Sequence, residues 1–269
     1  MPRSPAIVLS IAGFDPSSGA GITADLKTIA AHGLFGISCI TALTVQSSQG
    51  VAEVQPVSGE MVRKTLEVLL DDFQPAAVKI GMLGSRETAA AVTAVLEKAS
   101  LPNIVLDPVL KSSSGAGLLD LEGIEFLKSS MLSLADVITP NLEETEVLSG
   151  IQVRGVTDMT IAARQLHRLG VRNVVITGGH LDQPTDLLSE TGAEGRTLEL
   201  PGEHVATSST HGTGCAFATA IACNLALGKG LEQAVRLAKE YVSQGLKQAY
   251  PVGKGAGPIN HLFRFPGKS

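Results

Sequence analysis

Short runs of β-branched and other apolar residues alternate along this chain with longer segments whose apolar residues recur at helical spacing. The short runs are predicted strands, and they cover residues 6–12, 36–44, 76–80, 103–107, 135–139 and 173–177. The longer segments are predicted helices, over residues 22–32, 60–73, 86–99, 121–132 and 158–169. Because strand and helix alternate in this way, the strands are expected to lie mostly parallel, with helices covering both faces of the sheet. The sequence therefore predicts an α/β fold with ligands bound at the carboxyl ends of the strands.

One segment departs from this alternation of strands and helices. Residues 185–206 contain short strand-like pieces around glycine, so we predict an antiparallel hairpin beside the edge of the sheet. No internal repeat, low-complexity linker or shift of composition divides the chain. Its 269 residues, 44% of them hydrophobic, are enough for one large core, and residues 1–269 are predicted to form a single α/β domain.

Charge and cysteine content narrow the classes of function. The net charge is −5 and the Lys and Arg residues are scattered, which argues against nucleic acid as the main partner but not against small phosphates. Cys39, Cys215 and Cys223 match no zinc spacing, and so sparse a set suits a reducing compartment. The chain has neither a stretch of 18 apolar residues nor a basic and apolar leader. We therefore expect a cytoplasmic protein that does not enter the membrane.

A Thr-His-Gly-Thr-Gly-Cys run at residues 210–215 stands directly before an alanine-rich apolar segment, residues 216–227. The unpaired N–H groups at a helix start attract anions, and Gly212 and Gly214 let a ligand approach the backbone closely. Cys215 falls in the first turn, where the pKa of a thiol is expected to be lowered, so that it acts as a base or nucleophile. The alternative is a glycine turn before a buried helix, with Cys215 as a small core residue.

Glycine and polar residues follow the first three predicted strands. A glycine-rich turn at residues 13–21 allows close contact between backbone and ligand, and it leads into a helix that contains Asp25. Gln46 offers an amide that both donates and accepts, which suits a heterocycle with a ring nitrogen and an amino group; the alternative is a polar turn. Met82 can pack against a planar ring, or it is part of the core.

Carboxylates and an amide follow the next strands. Asp107 closes one strand and Glu144 lies just after another, and beside a phosphate site these are natural positions for Mg²⁺, which usually keeps several waters and takes one or two protein oxygens. Asn141 is expected to hydrogen-bond into the same water shell, although capping the helix that begins there is the weightier alternative. Thr177 and Gly179 follow a later strand with the same strand-to-glycine pattern. Together with Asn141, they are predicted to bind the nucleotide.

These motifs form a recognisable set. They are Gly13-x-Asp15, Ser18-Gly-Ala-Gly21 followed by Ala24-Asp25-Leu26-Lys27, Lys79-Ile-Gly-Met82, Asp107-Pro-Val109, Thr139-Pro-Asn141-x-x-Glu144, Gly178-Gly-His180 and the run at 210–215. Over about residues 6–261 the chain resembles the hydroxymethylpyrimidine and phosphomethylpyrimidine kinases of thiamine biosynthesis, a branch of the ribokinase-like superfamily. The resemblance implies a three-layer α/β/α sandwich with a mostly parallel central sheet, and a homodimer. It also implies that the γ-phosphoryl group of ATP, with Mg²⁺, is transferred to a hydroxymethyl group and then to the resulting phosphate.

The same resemblance assigns roles to individual residues. The anion hole would be formed by Gly212, Thr213, Gly214 and Cys215, and Cys215 would be the catalytic group near the attacking oxygen. Gln46 would recognise the edge of the pyrimidine. The substrate pocket would be lined by Gly13, Ala20, Asp25, Met82 and Val109.

Two other functions remain open. The first is a pyridoxal or pyridoxine kinase of the same branch, because a pyridine with a hydroxymethyl group is nearly isosteric with the pyrimidine. Gln46 favours the pyrimidine, since an aminopyrimidine presents a donor beside an acceptor. The second is a non-catalytic ligand sensor, for which the hint is Thr177, where this branch commonly has a lysine that reaches the nucleotide phosphates.

Overall fold

A computed structural model describes residues 4–112, 114–179, 181–191 and 195–265. Within these ranges the strands are β1 Ile7–Phe14, β2 Phe35–Ser47, β3 Gly50–Pro56, β4 Ala77–Ile80, β5 Ile104–Leu106, β6 Val137–Ile138, β7 Asn173–Ile176, β8 Thr185–Glu190 and β9 Arg196–Pro201. The α-helices are α1 Gly21–Ala31, α2 Gly59–Asp72, α3 Arg86–Ala99, α4 Leu121–Phe126, α5 Leu142–Ser149, α6 Val156–Arg168, α7 Thr213–Ala226 and α8 Leu231–Lys247.

The strands form one sheet in the order β3-β2-β1-β4-β5-β6-β7-β8-β9. The six strands predicted from the apolar runs pair in parallel with one another, as β2-β1-β4-β5-β6-β7. β3 adds antiparallel to β2 at one edge, and the antiparallel pair β8 and β9 extends the other edge. Both the mostly parallel sheet and the hairpin within residues 185–206 are therefore confirmed.

Helices cover both faces of this sheet, so the three-layer α/β/α prediction is also confirmed. Successive residues of a strand point to opposite faces, and β1 illustrates this: Leu9 and Ile11 belong to one buried cluster, whereas Val8 belongs to another. The first cluster includes residues of α2, α3 and α6, and the second includes residues of α1, α7 and α8. The continuous apolar character of the parallel strands follows from burial on both faces.

Three elements differ from the sequence prediction. The helix predicted at 121–132 is α-helical over Leu121–Phe126 and then continues as a π-helical turn, Leu127–Met131, and a 3₁₀ turn, Leu132–Leu134. Its buried residues keep the predicted spacing while the hydrogen-bond pattern changes. β3 and α8 were not assigned from the sequence. Within the described part of the chain, no helix has both the length and the apolar character needed to cross a bilayer.

The order of the strands fixes where a ligand can bind. The chain leaves β1 for β2 on one side and returns to β4 on the other, so the crossovers at the carboxyl ends of β1 and β4 diverge. Such a switch point leaves a crevice at that edge of the sheet. Gly13 is the next-to-last residue of β1 and Met82 lies two residues after the end of β4, so both predicted site residues are at this edge of the sheet.

Candidate active site

The N-terminus of α7 opens the candidate site. The helix begins at Thr213, and Gly212 before it has a φ of +77°, a conformation that favours glycine. A Cβ at Gly212 would also collide with the carbonyl oxygen of Gly19, so the turn requires glycine for two reasons. The first bond back into the turn is donated by the N–H of Ala216. The preceding N–H groups of the helix have no intrahelical acceptor, and a Cβ at Gly214 would meet nothing within 4 Å.

Cys215 is a free, partly buried cysteine in this first turn. The expected lowering of its pKa is wrong. Burial raises the pKa of the thiol to about 12, with Lys79 acting in the opposite direction and Asp107 and Asp25 adding to the rise. The helix start alone predicted the opposite sign, because it neglected the loss of hydration and the neighbouring carboxylates. The thiol is therefore protonated at neutral pH in the free protein.

A fully buried ion pair lies beneath this turn. Lys79 Nζ is 3.0 and 3.1 Å from the two carboxylate oxygens of Asp25, and neither side chain has any exposed surface. Ser10 Oγ and Thr219 Oγ1 each donate a hydrogen bond to Asp25, at 2.6 and 2.7 Å. Asp25 is therefore buried under the first turn of α7 and has no exposed surface that could line the substrate pocket. This corrects the expectation that it lines that pocket. The pKa of Lys79 is raised because the attraction of Asp25 outweighs the effect of burial.

Lys79 belongs to the Lys-Ile-Gly-Met motif, but no function was predicted for it from the sequence. The signal was a single lysine at the third position of a four-residue strand, β4, whose other residues are apolar. An ammonium group buried in a central strand requires a carboxylate partner. Asp25 was available at a helical position in α1, four elements earlier, yet nothing in the sequence specified that these two side chains meet.

Asp107 and Glu144 are the two candidate metal ligands. Both are buried, and Asp107 Oδ2 has no hydrogen-bond partner. Burial raises the pKa of both carboxyl groups; Lys79 opposes the rise at Asp107, and the charge of Asp107 adds to the rise at Glu144. In the described ranges no three metal-binding side chains cluster. Two close carboxylates, one with a free oxygen, nevertheless fit Mg²⁺, which takes one or two protein carboxylates together with waters and phosphates.

Asn141 caps α5, as the structural alternative predicted. Its side chain accepts from the N–H of Glu144 and the Glu144 side chain accepts from the N–H of Asn141, both at 2.9 Å, which forms a capping box. This arrangement uses one oxygen of Glu144 and fixes the direction of its carboxylate. The nucleotide-binding role of Asn141 stays a prediction.

Thr177 lies beside Asn141, because the two residues form an isolated parallel bridge. The next turn is anchored by Asp186, whose Oδ1 accepts the N–H of Gly178 at 3.0 Å. Gly179 is exposed, and a Cβ there would meet nothing within 4 Å. These residues are thus adjacent at the carboxyl ends of β6 and β7, while His180 lies outside the described residues.

Two of the predicted substrate residues, Gly13 and Val109, lie beside Met82. A Cβ at Gly13 would lie only 2.7 Å from Met82 Sδ, so the sulfur packs directly on the glycine backbone. Val109 packs against the small cluster that contains Met82. Ala20 precedes α1, and its N–H donates to Asp15 Oδ2 at 2.9 Å.

Gln46 stands at the rim of a cavity of about 380 Å³, together with Ser48, Ser112, His211 and Lys254. Its amide nitrogen Nε2 is 3.1 Å from His211 Nε2, and its Oε1 is 3.3 Å from Thr44 Oγ1. His211 Nε2 is in turn 2.8 Å from Asp15 Oδ2. Neither Asp15 nor His211 was assigned a role from the sequence, although both belong to the motifs that carry the family resemblance.

The fold and the open helix start beside two buried carboxylates define the class of this protein: a ribokinase-like small-molecule kinase. The chain belongs to the phosphomethylpyrimidine kinase family, whose model matches residues 15–260. It is therefore a phosphotransferase, and the family resemblance and the enzyme class predicted from the motifs are confirmed.

Individual relatives agree with this assignment. A hydroxymethylpyrimidine/phosphomethylpyrimidine kinase of Haemophilus influenzae is 41% identical over 259 residues, covering 94% of this chain and 96% of the relative. The thiamine biosynthesis bifunctional protein ThiED of Geobacter sulfurreducens is 41% identical over 257 residues, and the match spans 95% of this chain but about half, 52%, of that protein. Among solved structures, an ADP complex of Bacillus subtilis pyridoxal kinase superposes with a TM-score of 0.88 at 33% identity, covering 98% of this chain and 100% of that one.

Proposed function

We propose that this protein transfers the γ-phosphoryl group of ATP to 4-amino-5-hydroxymethyl-2-methylpyrimidine and then to the monophosphate so formed, in thiamine biosynthesis. The observation that carries this proposal is the open N-terminus of α7, with Asp107 and Glu144 buried close by and the Gln46 cavity beside it. From the family resemblance we also propose that it acts as a cytoplasmic homodimer.

The anion hole is the central element of the proposed chemistry. Phosphoryl transfer needs positioning and charge neutralisation more than covalent chemistry. The N–H groups of Thr213, Gly214 and Cys215 would donate to the oxygens of the transferred group, where the positive end of the helix dipole also acts. Because these donors are fixed by the helix, they need no rearrangement as charge develops.

The metal and the nucleotide would lie on the side of α5 and β7. Asp107 and Glu144 would hold Mg²⁺ through its waters, and the capping box fixes the Glu144 carboxylate for that purpose. When bound, the ion would neutralise charge on the phosphates. Thr177, Gly179 and Asn141 would contact the nucleotide, with Thr177 supplying a hydroxyl in place of a cation.

Cys215 would take part in moving the proton of the attacking hydroxyl group. Its raised pKa argues against a resting thiolate, so the thiol would pass a proton onward as it receives one. Asp107 is a suitable acceptor because burial raises the pKa of its carboxyl group. It also lies close enough to Cys215 for each group to shift the pKa of the other. The pyrimidine would lie against Gly13, Ala20, Met82 and Val109, with Gln46 at its polar edge.

A pyridoxal kinase activity is the second candidate, and the superposition on a pyridoxal kinase at a TM-score of 0.88 favours testing it. Release of ADP should be measured with the pyrimidine alcohol, its monophosphate, pyridoxine, pyridoxal and no acceptor. We expect turnover with the first two and little with the pyridines. Faster turnover with a pyridine would reassign the substrate, and no turnover with any acceptor would favour the sensor.

A pair of glycine variants isolates the anion hole. Gly214→Asp places a negative charge where the phosphoryl group would bind, in open space and at a helix start that tolerates acidic residues. We expect kcat/KM to fall by about 10²-fold or more with unchanged stability. Gly230→Asp is the matched control, because Gly230 precedes α8 with equally open space. Similar activity in the two variants would contradict the proposed anion hole.

A further inference from the structure

The buried carboxylate of Asp15 makes Nε2 of His211 a hydrogen-bond donor. Asp15 Oδ1 accepts from the N–H and the hydroxyl of Ser17, both at 2.7 Å, and Oδ2 accepts from the N–H groups of Gly19 and Ala20, at 3.2 and 2.9 Å. Burial opposes ionisation, but the hydrogen bonds from His211, Ser17 and Ala20 prevail and lower the pKa of Asp15 to about 2. Asp15 is therefore an acceptor only, and His211 Nε2, 2.8 Å away, must carry a proton.

This proton decides which end of the Gln46 amide faces His211. A half-turn about the last side-chain bond exchanges the oxygen and nitrogen of an amide without changing its outline, so the neighbouring groups decide the orientation. The atom of Gln46 that lies 3.1 Å from His211 Nε2 faces a donor. An amide NH₂ there would face this N–H donor and find no acceptor, because a protonated ring nitrogen has no free lone pair. The amide oxygen would instead share the Nε2 hydrogen with Asp15 Oδ2 in a three-centre bond.

The other end of the amide leads to the same orientation. Thr44 Oγ1 donates its hydrogen to the carbonyl oxygen of Phe14 at 2.9 Å, so it has only lone pairs left for Gln46. The Gln46 atom 3.3 Å away should therefore be the NH₂ group. Both neighbours thus require the oxygen towards His211 and the nitrogen towards Thr44.

We propose that Asp15 and His211 are positioning residues that lock the amide of Gln46 in one orientation and so set the hydrogen-bond order of the edge that the substrate meets. This proposal rests on the proposed function, in which Gln46 reads the heterocycle. The locked amide keeps an N–H and an oxygen lone pair for the ligand, in a fixed order. An amide free to turn would present either order.

A pair of ligands that differ only in this order can test the lock. The 4-amino pyrimidine presents a ring-nitrogen acceptor beside an amino donor, whereas its 4-oxo analogue presents a ring N–H donor beside a carbonyl acceptor. The two are nearly identical in shape. A fixed amide should bind the 4-amino compound in preference, and a freely turning amide should bind both.

The experiment measures binding of both compounds by calorimetry without ATP, and kcat/KM for both with ATP. In His211→Leu the amide loses its donor, and we expect the preference for the 4-amino compound over the 4-oxo compound to fall about tenfold or more, since a buried unmatched polar group typically costs about 1–3 kcal/mol. In His211→Gln a donor remains near the place of Nε2, and the preference should largely return. His167→Leu is the matched control: it removes a partly buried histidine that bonds Val171 and Ser189 near the amino end of β7, whereas the site lies at the carboxyl ends of the strands.

The outcomes separate the lock from the proposed function. An equal loss for both compounds in folded His211→Leu, or an unchanged preference, would overturn the lock and leave a packing role. A wild-type protein with no preference, but with normal turnover of the pyrimidine, would show that Gln46 does not read this edge and would also overturn it. A wild-type protein that binds with the expected preference but transfers no phosphate would overturn the kinase function and leave the lock standing. Circular dichroism and melting temperature establish that each variant is folded.

Discussion

Lys79→Met should be among the most destabilising single substitutions at the site. The change removes the ammonium group while keeping a side chain of similar length, and it leaves Asp25 buried with only Ser10 and Thr219 as partners. Both hydrogen bonds already exist in the wild-type protein, so they offset none of the loss. The Asp25 carboxylate must then stay charged without a cation or take up a proton.

The expected cost follows from the burial of this pair. Removing one partner of a buried ion pair typically costs about 3–5 kcal/mol, and the absence of any exposed surface on either side chain places this pair in that class. The exposed pair of Lys64 and Glu60 on α2 provides a comparison, since its side chains are 60% and 69% exposed. Lys64→Met should cost no more than about 0.5 kcal/mol.

Urea unfolding of both variants measures these costs, because the midpoint and the slope give the free energy of unfolding. The double variant Lys79→Met with Asp25→Asn removes both charges and keeps an amide for Ser10 and Thr219. It should be clearly more stable than Lys79→Met alone, since the cost lies in the uncompensated charge. A loss below about 1 kcal/mol for Lys79→Met, or a double variant as unstable as the single one, would refute the reasoning.

Three further predictions concern single side chains. Cys215→Ala should lower kcat by about 10²–10⁴-fold while Cys215→Ser keeps more activity, because a hydroxyl can pass a proton and a methyl group cannot; equal kcat in Cys215→Ala and wild type would end the catalytic role. Glu144→Gln should raise the Mg²⁺ concentration for half-maximal rate with little change in pyrimidine affinity, and an unaltered Mg²⁺ titration would remove Glu144 from the metal site. Burial lowers the pKa of His261 to about 4, with Lys27 adding to the effect. The unfolded chain, with a histidine pKa near 6.5, therefore binds a proton that the folded protein does not, and stability falls as the pH drops from about 6.5 to 4, by about 3 kcal/mol in total. His261→Gln should flatten that decline in urea unfolding at pH 7.5 and 4.5, and an equally steep decline would contradict it.

The parallel strands and their helices could be predicted from the sequence because they follow a single physical rule. A strand buried on both faces is a short apolar run, and β1, β4, β5 and β7 all have that character. The edge strand β3, next to β2, lacks this character because its residues are partly or fully exposed. Its sequence therefore resembles that of a loop. Local pattern therefore predicted the buried strands and the glycine-containing hairpin at one edge, but it missed the exposed strand at the other.

Within the site, sequence reasoning succeeded where a property is local. The glycine at 212 is required by its own backbone conformation, and the cap at Asn141 involves a residue three positions away. The pKa of Cys215 and the buried partner of Lys79 depend on chain segments far apart, and their neighbours cannot be deduced from spacing. The role of His211 was missed for the same reason, because its two partners come from β2 and from the turn after β1.

The pairing of distant segments also sets when the site can exist. Asp15 and His211 are 196 residues apart, and Thr219 and Asp25 are 194 apart. During synthesis the six parallel strands are complete once β7 has emerged, yet the crevice at the switch point still lacks α7 and His211. A chain that has not yet reached α7 therefore lacks the helix N-terminus at which the phosphoryl group would bind, and the part of the sheet that α7 covers in the folded protein is exposed. Small molecules whose binding requires the start of α7 can therefore stabilise the chain only after that helix has been synthesised.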